Sequence, residues 1–426
     1  MPTMESEQDP IMRRIGSRLM RIRHICPHYN PSENPYTPDF TMDYLINSVT
    51  ETFEDSFRFF LTYSLNREIV VWSIGECKVL VWDDALVQLL STLTDCLHLF
   101  NPLFSNENTA EPCNALVNIM CYVICEQAII NGNFDLASSL SVGIRKVGLA
   151  FATHAHMQSK SRYHEQILSL ATISIAVHEL THVGYANSAD VEKFAPICAY
   201  ALDYCIFEYE QKLRFPFYDG LMPHIDDEDA KLRAIDLIER PVIACIENEA
   251  FREEFLADIV SSLKILEGNV LPEKDWKEAY RNMLMAEFIV SSAHQIVNTA
   301  RQISDVSFDE NTACAPGGNL VDPFQIARWR VRLTASFLFL LGTDEFGRIK
   351  PPEGGFESHA RFSDVSDVIT DIEVVMRNFD AAKNAALPRM IAMRNSCMET
   401  GKHARMSQHV PRETFEEMPL HILGWI

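Results

Sequence analysis

The segment His178-Glu179-Leu180-Thr181-His182 carries an HExxH pattern, which is well suited to metal chemistry. Residues four apart on a helix share one face, with β-carbons about 5–6 Å apart, so both imidazoles can bind one metal ion. Glu179 is turned about one helical step from His178, and its carboxylate can reach a water molecule beside the metal, as a general base requires. The pattern therefore predicts a zinc site on a helix.

A third metal ligand has to come from elsewhere in the chain. Tyr185 and Ser188 stand where an HExxHxxGxxH motif has glycine and histidine, so that class of site is excluded. Among the glutamates further along the chain, Glu254 alone has an aspartate at the fourth following position, and such an aspartate can fix the tautomer of a ligand histidine. Glu249 and Glu253 lie on the same predicted helix and remain alternative ligands.

The HELTH segment and the later segment Glu254-Phe255-Leu256-Ala257-Asp258 together resemble the gluzincin zinc peptidases. Within that group the chain resembles the membrane endopeptidases of the HtpX and CAAX-processing type and, more loosely, the soluble phage-exclusion Lit peptidases, which show an E-x-x-A-D ligand helix. The resemblance implies a zincin-like fold and hydrolysis of peptide bonds. It also implies the site: the zinc ligands are His178, His182 and Glu254, the base is Glu179, and Asp258 holds a ligand histidine.

Other histidines have to be weighed against this site. Some of the resembled families carry a His-Pro element farther downstream, whose histidine faces the transition state. The nearest counterpart here is His359, followed by Ala360 in place of the proline, and by this resemblance His359 is the expected oxyanion stabiliser. Three histidines that precede the HExxH helix, His154, His156 and His164, are interpreted as loop histidines and not as a second metal site.

Charge and cysteine usage restrict the partners and the compartment of this protein. Lysine and arginine number 37 against 59 acidic residues, and the net charge of −22 repels nucleic-acid phosphates and anionic lipid surfaces. The apolar runs are shorter than the roughly 18–20 residues that cross a bilayer. The eleven cysteines include no CxxC pair, and the first ten residues lack a secretion-signal core. We therefore expect a soluble, cytoplasmic protein with no nucleic-acid partner and no transmembrane segment, and its oligomeric state stays open.

Periodicity and composition divide the chain into three parts. Residues 1–41 combine a basic amphipathic helix with a proline-rich linker, 42–400 form the zincin-like domain, and 401–426 form a tail. β-Branched and aromatic runs at 68–74 and 77–82 predict a β-hairpin. The predicted helices span 84–100, 113–130, 134–152, 164–186, 190–212, 228–239, 241–267, 274–304, 323–342 and 363–383. The expected fold class is mainly α (α+β), with a small sheet over the HExxH helix.

The function predicted from these features is that of a zinc-dependent metallopeptidase acting on a protein or peptide substrate. A zinc-activated water attacks the peptide carbonyl, with Glu179 as general base, and the hairpin holds an extended substrate as an added strand. The alternative is a catalytically silent zincin-fold protein that acts as a binding or regulatory module through its acidic surface and basic N-terminal helix. Glu179 counts against this alternative, because a protein without catalysis has little physical reason to keep a carboxylate beside the two histidines.

Overall fold

Helices make up most of the part of the chain that the structure describes. The computed structural model describes residues 57–62, 67–74, 76–100, 110–141, 162–183, 188–211, 226–267, 276–308, 330–331, 333–334, 342–343, 349–350 and 366–407. The predicted N-terminal helix and linker, His359 and residues 408–426 lie outside these ranges. Within them, the prediction of a mainly α protein with a small sheet is confirmed.

A small sheet precedes the helices. Strands β2 (Val70–Ile74) and β3 (Cys77–Asp83) form the predicted hairpin and pair antiparallel. A further strand, β1 (Phe57–Thr62), was not predicted, and it pairs parallel with β3. The spatial order is β1-β3-β2, so β2 borders this sheet. A separate antiparallel pair joins β4 (Gly342–Thr343) to β5 (Ile349–Lys350).

The helices match most of the predicted segments. They are α1 (Asp84–Phe100), α2 (Ala110–Ile130), α3 (Arg162–Thr181), α4 (Ser188–Glu210), α5 (Glu228–Ile246), α6 (Glu249–Glu267), α7 (Trp276–Ser304) and α8 (Ser366–Ser407). A short helical segment also covers 134–141. Asp83 joins the sheet to α1, because its Oδ1 accepts a hydrogen bond from the Ala85 amide at 3.0 Å and caps the first turn.

Two predicted helix boundaries, the end at 239 and the end at 383, are wrong. The helix predicted to end at 239 continues through Pro241 to the end of α5, and the break falls at Asn248, whose side chain caps α6 by accepting from the Ala250 amide at 2.9 Å. Likewise α8 continues past Pro388 to Ser407, so the domain boundary placed at 400 falls inside this helix. Around Pro388 the side chains of Ala386, Met390 and Ile391 are buried, and this packing compensates for the hydrogen bond that the proline removes.

The helix that carries HExxH is packed between the sheet and three other helices. It contacts β2, α1, α6 and α7, and α7 in turn packs against α1, α2 and α8. Most of the side chains from Ile167 to Val177 are buried, as the apolar run in the sequence predicted. One described helix segment, Pro112–Ile130, is long and apolar enough to cross a bilayer, and 61% of its most apolar window is buried inside the protein. The absence of a transmembrane segment stays a prediction.

Candidate metal centre

The HExxH residues lie where the buried helix α3 reaches the protein surface. Thr181 is the last helical residue, so His182 lies in the turn just beyond it. The His178 side chain is 9% exposed, whereas that of His182 is 34% exposed. One histidine is therefore fixed in the core while the other borders the solvent.

Glu254, on α6, brings a carboxylate to both histidines. Its Oε2 lies 3.1 Å from Nε2 of His178, its Oε1 lies 3.5 Å from Nε2 of His182, and the two Nε2 atoms are 3.2 Å apart. In a tetrahedral site with metal–ligand bonds of about 2.0–2.1 Å, neighbouring ligand atoms are about 3.3 Å apart. All three separations are close to that edge length, so the three side chains fit a small tetrahedral cation.

The structure also decides between the glutamates that the sequence left open. His178, His182 and Glu254 are the one group of three potential metal ligands found among the described residues. Glu249 and Glu253 are exposed and do not belong to this group. Glu254, which the sequence analysis singled out by the aspartate four residues later, is thus the glutamate that lies next to the two histidines.

Asp258 fixes the orientation of His178. Its Oδ1 accepts a hydrogen bond from Nδ1 of His178 at 2.8 Å, and Nε2 on the other side of the ring faces Oε2 of Glu254 at 3.1 Å. This bond leaves Nε2 as the ring atom that can bind a metal ion once its proton is displaced. Arg330 holds the same carboxylate, since its Nε donates to Oδ2 at 2.8 Å and its Nη2 donates to Oδ1. Burial raises the pKa of Asp258, but the charge of Arg330 and the bond from His178 lower it well below its usual range.

Arg330 was missed by the sequence analysis. It lies 72 residues from Asp258 and belongs to no motif, so no spacing rule points to it. The two side chains are 11% and 4% exposed, which makes this a buried, two-bonded ion pair. Removing either partner would leave a buried charge uncompensated.

The charges around His178 favour a cation among the three groups. Burial lowers the pKa of His178, but hydrogen bonds to Asp258 and Glu254 outweigh burial and raise it to about 10. Burial, with the charge of His178, lowers the pKa of His182, and the hydrogen bond from His178 lowers that of Glu254. Metal binding requires neutral imidazoles, so a metal ion bound here would displace the proton of His178. The positive charge of the metal would then replace that of the proton beside the carboxylates.

Glu179 lies beside the three ligands without joining them. Burial is the main cause that raises its pKa to about 7; the charge of His178 opposes the shift, and the carboxylates of Glu254 and Glu68 add to it. A carboxyl group that titrates near neutrality can accept a proton and release it again within one reaction cycle. Glu68, which lies just before β2, was not a candidate from the sequence.

A buried polar contact beneath the metal ligands joins three helices. Ser261 on α6 donates its hydroxyl to the backbone oxygen of Ser174 at 2.9 Å, and the Ser174 hydroxyl donates to Oε1 of Glu287 on α7. Ser174 lies one turn before His178 on α3, so these bonds set the position of α6 relative to the HExxH helix. Burial raises the pKa of Glu287 to about 7, and the charge of Asp258 contributes.

No other histidine in the described part of the chain joins the group of three potential ligands. His164 was expected in a loop, but it lies in α3 and is buried, with Nδ1 2.9 Å from Oδ1 of Asp95. No second group of three potential metal ligands forms among the described residues. His154, His156 and His359 lie outside those residues, so the role of His359 stays a prediction.

Comparison with known proteins adds no assignment to this site. No protein-family model matches the chain, and no curated protein and no solved structure matches it. The functional argument therefore depends on what the side chains can do. They can hold a small cation with three ligands on a surface that solvent reaches, and they place a carboxyl group of near-neutral pKa beside it.

Proposed function

We propose that this protein is a zinc-dependent metallopeptidase with a gluzincin-like site on a zincin-like fold. The observation that carries the proposal is the set of separations of 3.1, 3.2 and 3.5 Å among the ligand atoms of His178, His182 and Glu254. Two imidazoles and one carboxylate are a ligand set that catalytic zinc takes, and three protein ligands leave a fourth position open. The side chains of His182 and Glu254 are 34% and 48% exposed, so substrate can reach that position.

In the proposed peptide hydrolysis, one residue transfers protons and two others orient a zinc ligand. A zinc ion in this site would acidify a water molecule and polarise the peptide carbonyl. Glu179 takes the proton from the attacking water and returns it to the leaving amine, which its raised pKa favours. Asp258, held by Arg330, keeps Nε2 of His178 available as a ligand. In this scheme no covalent bond forms between the protein and the substrate.

The border strand β2 is the proposed platform for the substrate. It packs against α3 and forms one edge of the sheet, and an extended peptide can bind such an edge through its main chain. Proline placed at successive β2 positions removes one backbone donor at a time. Undiminished peptide cleavage in every folded, zinc-loaded proline variant would assign substrate binding to another element.

Three further parts of the proposal depend on the sequence. His359 is the proposed oxyanion stabiliser, the substrate is a protein or peptide and not a nucleic acid, and the compartment is the cytoplasm. The net charge of −22 supports the exclusion of nucleic acid. None of the eight cysteines whose side chains the structure describes forms a disulfide bond, which supports a reducing compartment.

The test of this function is the Glu179→Gln variant. Glutamine keeps the shape of the side chain but cannot accept a proton, so the variant should bind zinc as the wild type does and lose proteolysis. The readouts are zinc content by mass spectrometry and a proteome-wide list of peptides cleaved by the wild type and by the variant. If both proteins bind zinc and neither cleaves any peptide, the site belongs to a catalytically silent binding protein.

A further inference from the structure

A half-exposed carboxylate lies at the start of β2, beside the proposed active site. The Glu68 side chain is 44% exposed, and the strand that it leads into packs against the HExxH helix. Glu68 is two residues before β2 in the chain, and it lies close enough to Glu179 on the HExxH helix for the two charges to interact. The proposed mechanism gives Glu68 no role.

Glu68 is held in place by α7. Arg301 donates from Nη2 to Oε1 of Glu68, and its own orientation is fixed by a bond from Nε to Oε1 of Gln127 at 3.2 Å. The backbone amide of Glu68 donates to Oδ2 of Asp83 at 3.4 Å. Among the described residues no donor reaches Oε2 of Glu68. One oxygen is therefore anchored while the other can accept a hydrogen bond from a ligand.

The backbone just before Glu68 is strained and tightly held. Arg67 has φ of 56°, in the left-handed region that L-residues rarely adopt, and its side chain is fully buried. Its Nε and Nη2 donate to Glu126 at 2.6 and 2.9 Å, and Nη1 donates to the backbone oxygen of Ala85. Strained backbone persists only where its surroundings fix it, and it is concentrated at functional sites. These contacts give Glu68 a fixed position instead of a mobile one.

Building on the proposed function, we propose that Glu68 is a specificity-determining residue that binds a cationic group of the substrate close to the scissile bond. An ionised carboxylate has acceptors only, and a fixed one recognises an ammonium or guanidinium donor. The acidic chain adds a long-range attraction for cationic peptides. The cation is either the side chain of a lysine or arginine residue or a free α-amino group.

A purely structural role for Glu68 would be to tie the hairpin to α7 through Arg301. The two roles differ in what Arg301→Gln does. If Glu68 binds the substrate, removing Arg301 takes away a competing cation and the preference for cationic peptides persists. If the ion pair only supports the hairpin, Arg301→Gln and Glu68→Gln should have the same effect on every peptide.

The experiment compares peptides that differ only in charge. Pairs of otherwise identical peptides carry lysine or acetyl-lysine at each position flanking the cleaved bond, and a second pair has a free or an acetylated N-terminus. The wild type should show a kcat/KM about tenfold higher for the cationic member of one pair, as a charged hydrogen bond provides. In Glu68→Gln that ratio should approach one. The matched control is Glu76→Gln, which removes an equal charge from the exposed turn of the same hairpin and should keep the ratio.

Binding supplies a readout that does not require turnover. Zinc-loaded Glu179→Gln protein is titrated with the same fluorescent peptides, with and without the Glu68→Gln substitution, and affinity is measured by anisotropy. A preference for the cationic peptide that Glu68→Gln removes supports the proposal, and the pair that shows it identifies a side chain or an α-amine. Equal binding of both peptides by the wild type, or a preference that Glu68→Gln leaves intact, overturns it. Absence of cleavage with this preference intact would contradict the peptidase function instead.

Discussion

Two helices in the described part of the chain carry a pair of histidines or cysteines at four-residue spacing, and one of these pairs belongs to a group of three potential metal ligands. His178 and His182 are four apart at the end of α3, and Cys121 and Cys125 are four apart on α2. Both pairs lie on a helix that packs against another helix with further ligand-type side chains. The two pairs therefore have the same kind of sequence pattern. Whether a pair can bind a metal ion has to depend on the residues that surround it in the fold.

In the thiol region the two cysteines bond to different partners and do not belong to a group of three potential metal ligands among the described residues. Sγ of Cys121 lies 3.6 Å from Sδ of Met393, and Sγ of Cys125 lies 3.5 Å from the backbone oxygen of Ala137. Burial raises the pKa of Cys121 to about 12 and also raises that of Cys125, so both remain protonated thiols. A metal ion requires the thiolate. These cysteines are core residues, as their apolar sequence context predicted.

The histidine region differs in two respects. A third ligand, Glu254, converges on both imidazoles, and a carboxylate on the far side of His178 orients its ring. The lesson is that four-residue spacing puts two groups on one face, whereas a metal site also needs a third group and a partner that fixes the ligand atom.

The largest expected effect is the loss of the third ligand. A structural zinc site is worth about 10–16 kcal/mol, so one of three protein ligands accounts for roughly 3 kcal/mol or more, which is over about 100-fold in affinity. Glu254→Ala should therefore lower zinc affinity by at least that factor, as measured by competition with a chelator. Glu253→Ala is the matched control and should bind zinc as the wild type does. Equal loss in the two variants, or loss in Glu253→Ala alone, would contradict the assignment.

The second effect is a pH-dependent stability in the histidine region only. The pKa of Glu287 rises from 4.5 to about 7 in the folded protein, so the neutral form stabilises the fold below pH about 4.5 and this contribution is lost as the pH rises through about 7. Against Glu287→Gln, which stays neutral, the wild type should lose about 3 kcal/mol over this range. Urea unfolding at pH 4.5, 6 and 8 measures the difference. A difference that does not vary with pH would show that Glu287 is not buried as described.

The third effect concerns the partner that orients His178. Asp258→Ala should weaken zinc binding by roughly 10- to 100-fold, the usual cost of removing such a partner. The loss should be smaller than that of Glu254→Ala, because all three ligands remain. Circular dichroism of the zinc-free variant checks that the helices are intact, and an unchanged zinc affinity would remove Asp258 from the site.

The smallest effect is expected in the thiol region. Cys121→Ala should leave zinc stoichiometry and affinity unchanged and cost about 1 kcal/mol of folding free energy, as an average substitution does. Zinc titration and urea unfolding of the same sample give both numbers. A fall in bound zinc would place metal between α2 and α8 and reverse the comparison.

The sequence was informative where one local pattern decides the outcome. The bounds of α1 and the β2–β3 hairpin were predicted closely, because periodicity and β-branched runs are local signals. Strand β1 was missed because parallel pairing with β3 is a non-local interaction. The break between α5 and α6 was placed at residue 240 and falls at Asn248, because the capping bond of Asn248 to the Ala250 amide leaves no trace in the apolar periodicity.

The same distinction applies to the candidate site. His178, His182, Glu254 and Asp258 could be found because each pair has a helical spacing that places it on one face. Arg330 and Glu68 could not, because their positions depend on how distant elements pack. No spacing rule connects a buried arginine to an aspartate 72 residues away.

X-ray absorption at the zinc edge of the purified protein tests the central claim most directly, because it reports the atoms that bind the metal. The account predicts one zinc per chain with nitrogen and oxygen neighbours at about 2.0–2.1 Å, an imidazole scattering pattern and no sulfur. In Glu254→Ala this spectrum should be lost along with the metal. A sulfur shell at about 2.3 Å, or protein that binds no zinc at all, would contradict the assignment of His178, His182 and Glu254 as the metal site.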